Sequence, residues 1–225
     1  MDAAKLQSKI YSGYAKASFR IGRECTVYRA STALGSVISS GNVLGTTYAS
    51  FNAQDMSYGK PNIYGKALWY GLFDATNYDV GDYLVNPEDG TFFIAAKQLA
   101  LPILMVQCNR TVTISRNPVI GQTGSAGYGG GGESPIQGPL PASIMYGERG
   151  LGLPIESDAR NPMTTILFPS YPGVVINVSD ILTDDLSRRF MIQAAELTDL
   201  GWRIQGEEIF ISKQVAIGSL ASALR

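Results

Sequence analysis

The sequence predicts a mainly β protein, with duplicated β-hairpin or meander modules forming a barrel or sandwich, one amino-terminal amphipathic helix and long extended loops. Three observations predict it. A segment occurs twice, because Val80–Gln107 and Val178–Gln205 align at a constant offset of 98 residues with eight of 28 positions identical, where average residue usage gives about two. Within both copies Asp82, Leu84, Phe92 and Ile94 alternate, as do Asp180, Leu182, Phe190 and Ile192, the period of a strand, a turn and a returning strand with one buried face. Charged residues make up only 16% of the chain, beside 25 glycines, 11 prolines and 12 tyrosines, a composition of turns and aromatic strands.

Along the chain, Leu6, Ile10, Tyr14, Ala17 and Ile21 recur at helical spacing from Asp2 to about Ile21, with Asp2 placed to cap the start and Gly22 to stop the helix. Lys5, Lys9, Lys16 and Arg20 follow one flank, and residues 1–30 hold six basic against two acidic side chains. These residues form either a solvated face or a docking arm for an acidic partner. Glu24–Arg29 reads as a strand. From Ala30 to Gln54 no residue is charged, a Ser/Thr/Gly-rich stretch expected to lie along something else. Tyr64–Tyr70 returns to strand composition.

The hairpin turns Asn86-Pro-Glu-Asp-Gly90 and Asp184-Asp-Leu-Ser187 have the residues that reverse a chain. Asp82 and Asp180, on the apolar face, read as acceptors for backbone N–H groups at the hairpin mouths. Each copy continues into a third strand, Pro102–Val106 corresponding to Leu200–Ile204. Between the copies, residues 117–158 contain Gly127-Tyr128-Gly129-Gly130-Gly131-Gly132, a loop far longer than compact domains use. No Gly-Lys-Ser/Thr follows it, so a phosphate cradle is excluded and a flexible or inter-subunit arm is expected. The expected organisation is a helical arm (1–22), an extended linker or strand (23–59), a first β module (60–116), the long loop (117–158), a second module (159–211) and a tail (212–225).

Chemistry is restricted by composition. With no histidine, His-based triads and His-bearing zinc sites are excluded. The acidic pairs Asp184/Asp185 and Glu207/Glu208 read as solvated or pointing to opposite faces. Cys25 and Cys108 have no metal or disulfide spacing and read as reduced, buried thiols. Trp69 and Trp202 read as core residues. No catalytic residue, cofactor or metal is expected. The net charge of −1 argues against tight phosphate-driven nucleic-acid binding. No stretch reads as membrane-spanning or as a secretory signal, placing the chain in a cytoplasm. The low charge and 45% apolar content point to surface covered by other subunits.

The runs MDAAKLQSKIYSGYAKASFRIG, KPNIYGKALW, GDYLV, GTFFIAA, LPILMVQCNRTVTI, LPASI and SDILTDD through RRFMIQAAELTDLGWRI resemble a family of structural proteins of tailed bacteriophages and prophages. The similarity runs from Asp2 to about Ile211. The Gly/Ser-Asp-x-Leu, turn, Phe-x-Ile pattern is similar to the β-barrel core of head-closure, or stopper, proteins. The resemblance implies a virion neck ring between portal or adaptor and tail. Its partners would be copies of itself, the portal and adaptor proteins, the tail terminator or tube, and DNA passing through without sequence-specific binding. It implies assembly in the host cytoplasm. Two hairpin copies, a helical arm and the glycine loop depart from a simple stopper. A tail terminator, a tail-completion or baseplate protein, and a glycan-binding module are the other readings.

Overall fold

The computed structural model describes residues 2–53, 66–117, 132–146 and 163–209. Among these, helix α1 (Ala3–Ile21) precedes strands β1 (Arg23–Tyr28), β2 (Val43–Ala53), β3 (Leu68–Leu72), β4 (Tyr83–Asn86), β5 (Gly90–Ala96) and β6 (Ile103–Cys108). Six more follow: β7 (Arg110–Arg116), β8 (Ser134–Tyr146), β9 (Thr164–Phe168), β10 (Ile181–Asp184), β11 (Arg189–Thr198) and β12 (Gly201–Ile209). They close into two antiparallel barrels, ordered β1-β2-β3-β6-β5-β4 and β7-β8-β9-β12-β11-β10. Each barrel is two three-stranded meanders joined at two seams, and closure leaves no sheet edge along most of its length.

The duplication is wider than the hairpins. Tyr83 pairs with Phe93 as Ile181 pairs with Met191. Tyr70 pairs with Leu104 as Thr165 pairs with Gln205, and Cys25 pairs with Thr47 as Val112 pairs with Leu140. A bulge falls at the same place in both copies, between Ile94 and Ala96 and between Ile192 and Ala194. The second barrel is therefore a full repeat of the first, strand for strand, with the register differing only at the shifts between the first two strands.

Several boundaries differ from those expected. The segment 23–59, expected as an extended linker or strand outside the first module, contains β1 and β2, so the first barrel spans residues 23–108 rather than starting at 60. β7, expected in the first module, opens the second, and β8 lies inside what reads as loop 117–158. Ser, Thr and Gly suffice for β2 because its backbone is paired on both sides, to β1 and to β3. The third strands align with a slip of three residues: Leu104, not Gln107, stands where Gln205 stands. The β11–β12 hairpin carries those extra residues. The tail 212–225 lies outside the described residues.

Side-chain alternation fills the two interiors. Cys25, Val27, Leu84, Phe92, Ile94 and Met105 line the first barrel, and Tyr11 of α1 joins this cluster. Val112, Ile114, Leu182, Phe190, Ile192 and Ile204 belong to a second cluster, which also takes in Tyr83, Phe93, Ala95 and Val106 from the first barrel. These four alternate with the first barrel's interior residues, so they stand on its outer wall. Outer wall and second interior thus form one continuous core, and the buried Tyr83 hydroxyl donates to Pro141 O at 2.9 Å. Burial pushes the Tyr83 phenol well above its usual range.

Each barrel carries the same polar clamp. Arg29 Nε and Nη2 donate to Asp82 Oδ1 and Oδ2, both at 2.7 Å. Arg116 meets Asp180 identically, at 2.8 and 2.7 Å. Asp82 Oδ2 also accepts the Asp79 N–H at 2.8 Å, and Asp180 Oδ2 the Asn177 N–H at 2.7 Å. Gly81 (φ 95°) and Ser179 (φ 73°), just before each aspartate, take the positive φ that turns the carboxylate inward. The carboxylates are nearly fully buried, and their hydrogen bonds hold both guanidiniums above the usual arginine range.

Asp180→Ala should cost about 2–4 kcal/mol, since it removes a charge-assisted pair and leaves the Asn177 N–H without its acceptor. Asp82→Ala should cost about as much, while the exposed Asp185→Ala should stay within about 0.5 kcal/mol. Urea unfolding midpoints read all three, and a wild-type midpoint for Asp180→Ala would discount the clamp. Gly201→Ala should also destabilise, because at φ 113° a Cβ would sit 2.7 Å from Phe168 O. Its expected loss is about 2 kcal/mol in the same assay.

Candidate assembly surfaces

α1 begins as its sequence suggests, with Asp2 Oδ1 accepting the Ala4 N–H at 3.2 Å. It ends at Gly22, whose N–H donates to Ser18 O at 2.7 Å. Its buried face differs from the Leu6-to-Ile21 stripe. Tyr11 and Ser18 are buried, Ile10, Tyr14 and Ala17 half-buried, and Leu6 and Ile21 exposed. Gly22 sets this roll: a Cβ there would lie 2.4 Å from Ala49 O of β2, so the helix end lies flat on the strand. Gln7 Oε1 then accepts the Ala100 N–H at 2.8 Å, and the Lys97 ammonium stands 5.8 Å from the Tyr11 ring centre.

Lys5, Lys9, Lys16 and Arg20 are all exposed. At 100° per residue they point away from Tyr11 and Ser18, forming the outward side of the helix. Beside them Phe19, 68% exposed, sets its ring edge-on to the exposed Tyr48 at 5.1 Å between centres. Ile21, two residues on and on another side of the helix, and Leu44, at the β2 bulge, are exposed as well. A row of cations thus adjoins exposed apolar side chains at one end of the molecule. Solvation suits the cations, while the exposed Phe19–Tyr48 pair in contact with water suits a partner.

The Ala30–Gln54 stretch divides in two. Residues 43–53 are β2, and the part before it lies on the second barrel. Gly138 N–H donates to Ala33 O at 2.9 Å, Gly35 N–H donates to Gly138 O at 3.0 Å, and Tyr171 Oη donates to Ser31 O at 2.9 Å. Val37 is buried in the shared core. The β1–β2 connection is therefore a clasp from the first barrel onto the second. Its counterpart, the β7–β8 connection, contains Tyr128, Gly129, Gly130 and Gly131, which lie outside the described residues.

The residues singled out for structure occupy equivalent places: Leu84, Phe92 and Ile94 in one interior, Leu182, Phe190 and Ile192 in the other. Sequence reasoning missed Arg29 and Arg116, whose spacing differs from that of the hairpins. It also misplaced Asp184, which is buried rather than solvated. Asp184 Oδ1 accepts the Leu186 and Arg188 N–H groups at 3.0 and 2.8 Å, and Oδ2 accepts Arg188 Nε at 2.8 Å. Gln193 Nε2 donates to Glu207 Oε2 at 2.9 Å, and Tyr146 Oη to Glu208 Oε2 at 3.2 Å. Among the described residues no group of three or more His, Cys, Asp or Glu side chains is placed to hold a metal ion.

Trp202 is buried. Trp69 is half-buried, and its Nε1–H donates to Gln107 Oε1 at 3.1 Å. Trp69 walls a cleft of about 280 Å³ at one end of the first barrel, with Arg23, Phe51, Asp89, Phe92 and Gln107. Among the described residues no helix is long and apolar enough to cross a membrane. Comparison with known protein families, with curated proteins and with solved structures finds no match.

Burial raises the Cys25 thiol to about 11. The native protein should therefore resist alkylation at Cys25 at pH 8, where only the thiolate reacts. An unfolded chain ionises at the ordinary thiol value of 9.0 while the folded chain keeps its proton until about 11. This contribution to stability is complete below pH 9 and declines from there to pH 11. Unfolding midpoints across that range, compared with those of Cys25→Ala, read the effect.

Proposed function

We propose that this protein is a structural component of a tailed-phage virion. It forms a ring in the neck that joins the DNA-filled head to the tail and retains or guides the genome. The likeness to phage structural proteins supports the setting. The observation that carries the mechanism is the clasp. The β1–β2 connection of the first barrel grips the second, and the topologically equivalent β7–β8 connection carries the glycine run with no third barrel behind it among the described residues. On this reading the glycine arm grips the next subunit or ring.

The basic row of α1 and the adjoining Phe19 and Tyr48 supply a second contact, with an acidic surface on the portal or adaptor side. Repetition around the ring multiplies weak contacts into firm attachment. DNA needs only passage, which a net charge of −1 suits.

Deleting residues 127–132 should leave the unfolding midpoint unchanged but yield heads that leak DNA or lack tails, and normal infectious particles would refute the arm assignment. The purified protein should restore tail joining to tail-less heads. Binding to head-less tails instead would move it to the tail terminator or baseplate class.

A further inference from the structure

The cleft at the end of the first barrel has a counterpart in the second, and the two are filled differently. In the second barrel the Arg188 guanidinium lies over the Phe190 ring at 5.4 Å and over Tyr146 at 6.0 Å. Asp184 holds it by charge-assisted bonds at 2.8 and 2.7 Å, and its Nη1 reaches the Tyr146 hydroxyl at 2.7 Å. In the first barrel Phe92 stands where Phe190 stands, but the residue equivalent to Arg188 is Gly90. The pairing fixes this equivalence, since Asn86 lies opposite Gly90 as the Asp184 N–H donates to Arg188 O. A Cβ at Gly90 would meet nothing within 4 Å.

The vacated end is lined for a flat group. Phe51 stacks on Phe92 at 3.8 Å between centres, Trp69 meets Phe92 edge-on at 6.0 Å, and both Phe51 and Trp69 are half-buried, with ring surface left towards the cleft. The second barrel has Ile144 and Thr164 at these two places, so the aromatic walls are peculiar to the first. Acceptors stand at the rim: Gln107 Oε1 and the carboxylate of Asp89. Arg23 is already paired with Glu88 at 2.6 Å and Asp89 at 3.1 Å, so two carboxylates stand against one cation here.

We propose that this cleft binds an arginine side chain presented by another protein, taking in trans the group that Arg188 supplies in cis to the second barrel. Phe51 and Trp69 stand nearly perpendicular, so a guanidinium can lie flat on one ring with its edge towards the other and donate in its own plane to Gln107 and Asp89, whereas a lysine ammonium is a point charge with no plane to stack. Arginine anchors of this kind are common centres of protein interfaces. The site stands on the barrel's own geometry and does not depend on the virion assignment.

The test uses the full chain with ¹⁵N-labelled indoles, Trp69→Phe assigning the two Nε1–H signals. Acetyl-Gly-Arg-Gly-amide should shift the Trp69 signal saturably, with half-saturation of roughly 1–10 mM for so small a ligand, and leave Trp202 unmoved. The lysine tripeptide at matched ionic strength should bind at least about 5-fold more weakly. Asp89→Asn, a change at the rim, should raise the arginine half-saturation about 3-fold. If Phe51→Leu folds it should weaken binding further, and if it does not, the Asp89 variant decides. No shift, equal shifts with both peptides, no effect of Asp89→Asn, or a shift evoked by a neutral sugar instead would overturn the proposal.

Discussion

Closure of each barrel depends on one ion pair. The seam between β1 and β4 has three residue pairs, ending at Tyr28 opposite Tyr83, and the seam between β7 and β10 has four, ending at Ser115 opposite Ile181. Arg29 and Asp82 are the next residues in line, as are Arg116 and Asp180. The bidentate pair is thus one more rung, made of side chains where the backbone ladder stops. A rung of this kind suits a short seam because a carboxylate with two guanidinium bonds and a backbone N–H is fully satisfied while buried. Were the arginine absent, the same aspartate would be an unpaired charge at the barrel's weakest joint. The repeated pair therefore accounts for why a polar residue is kept on an otherwise apolar face in both copies.

How much of this was legible follows from where loops change length. The hairpins β4–β5 and β10–β11 show in the sequence because their turns differ without changing the strand offset, so Leu84/Leu182, Phe92/Phe190 and Ile94/Ile192 stay aligned. Elsewhere the offset drifts, from Arg29/Arg116 through Gly71/Ile166 to Leu104/Gln205, and a search at one spacing passes over four of the six strand pairs. The clamp arginines were hidden for that reason. A basic residue directly after each first strand, Arg29 after Tyr28 and Arg116 as the last residue of its own, was the available signal. β8 was hidden differently. Its Pro135, Pro139 and Pro141 argue against a central strand, but two register shifts against β7 accommodate Pro135 and Pro139, while Pro141 stands opposite Thr111 in the ladder. Of the surfaces, the basic row of α1 was readable by spacing. The aromatic cleft was not, since Phe51, Trp69 and Phe92 come from three strands brought together only by closure.

Comparing the copies shows what duplication left free to change. In the first interior Gly71 faces Met105, so close that a Cβ on Gly71 would lie 2.9 Å from the Met105 side chain. At the equivalent places the second interior has Ile166 and Gly206, the large and small residues exchanged, and a Cβ on Gly206 would meet Ile166 at 3.4 Å. Total volume is conserved while its source moves to the other strand, as close-packed interiors require. The outer walls diverged more. Tyr83, Phe93 and Val106, by which the first barrel docks on the second, correspond to Ile181, Met191 and Glu207, with Gln193 bonded to Glu207. The docking face is more polar in the copy that meets no further barrel among the described residues.

That asymmetry constrains assembly. At the other end of the molecule, α1 rests on β2 much as β6 rests on β8, so the helix covers the place that a preceding barrel would occupy. One end of the tandem is capped by a helix and the other by a polar wall, and the contact that joins the two barrels cannot simply repeat from chain to chain. In the ring proposed above, association between copies would use surfaces that the duplication did not already spend: the outward side of α1 with Phe19 and Tyr48, and the open end of the first barrel. Each of these differs between the two barrels. A tandem whose cores are interchangeable but whose exposed ends are not has the directionality that a heterologous ring requires, because each subunit must present unlike faces to its two neighbours.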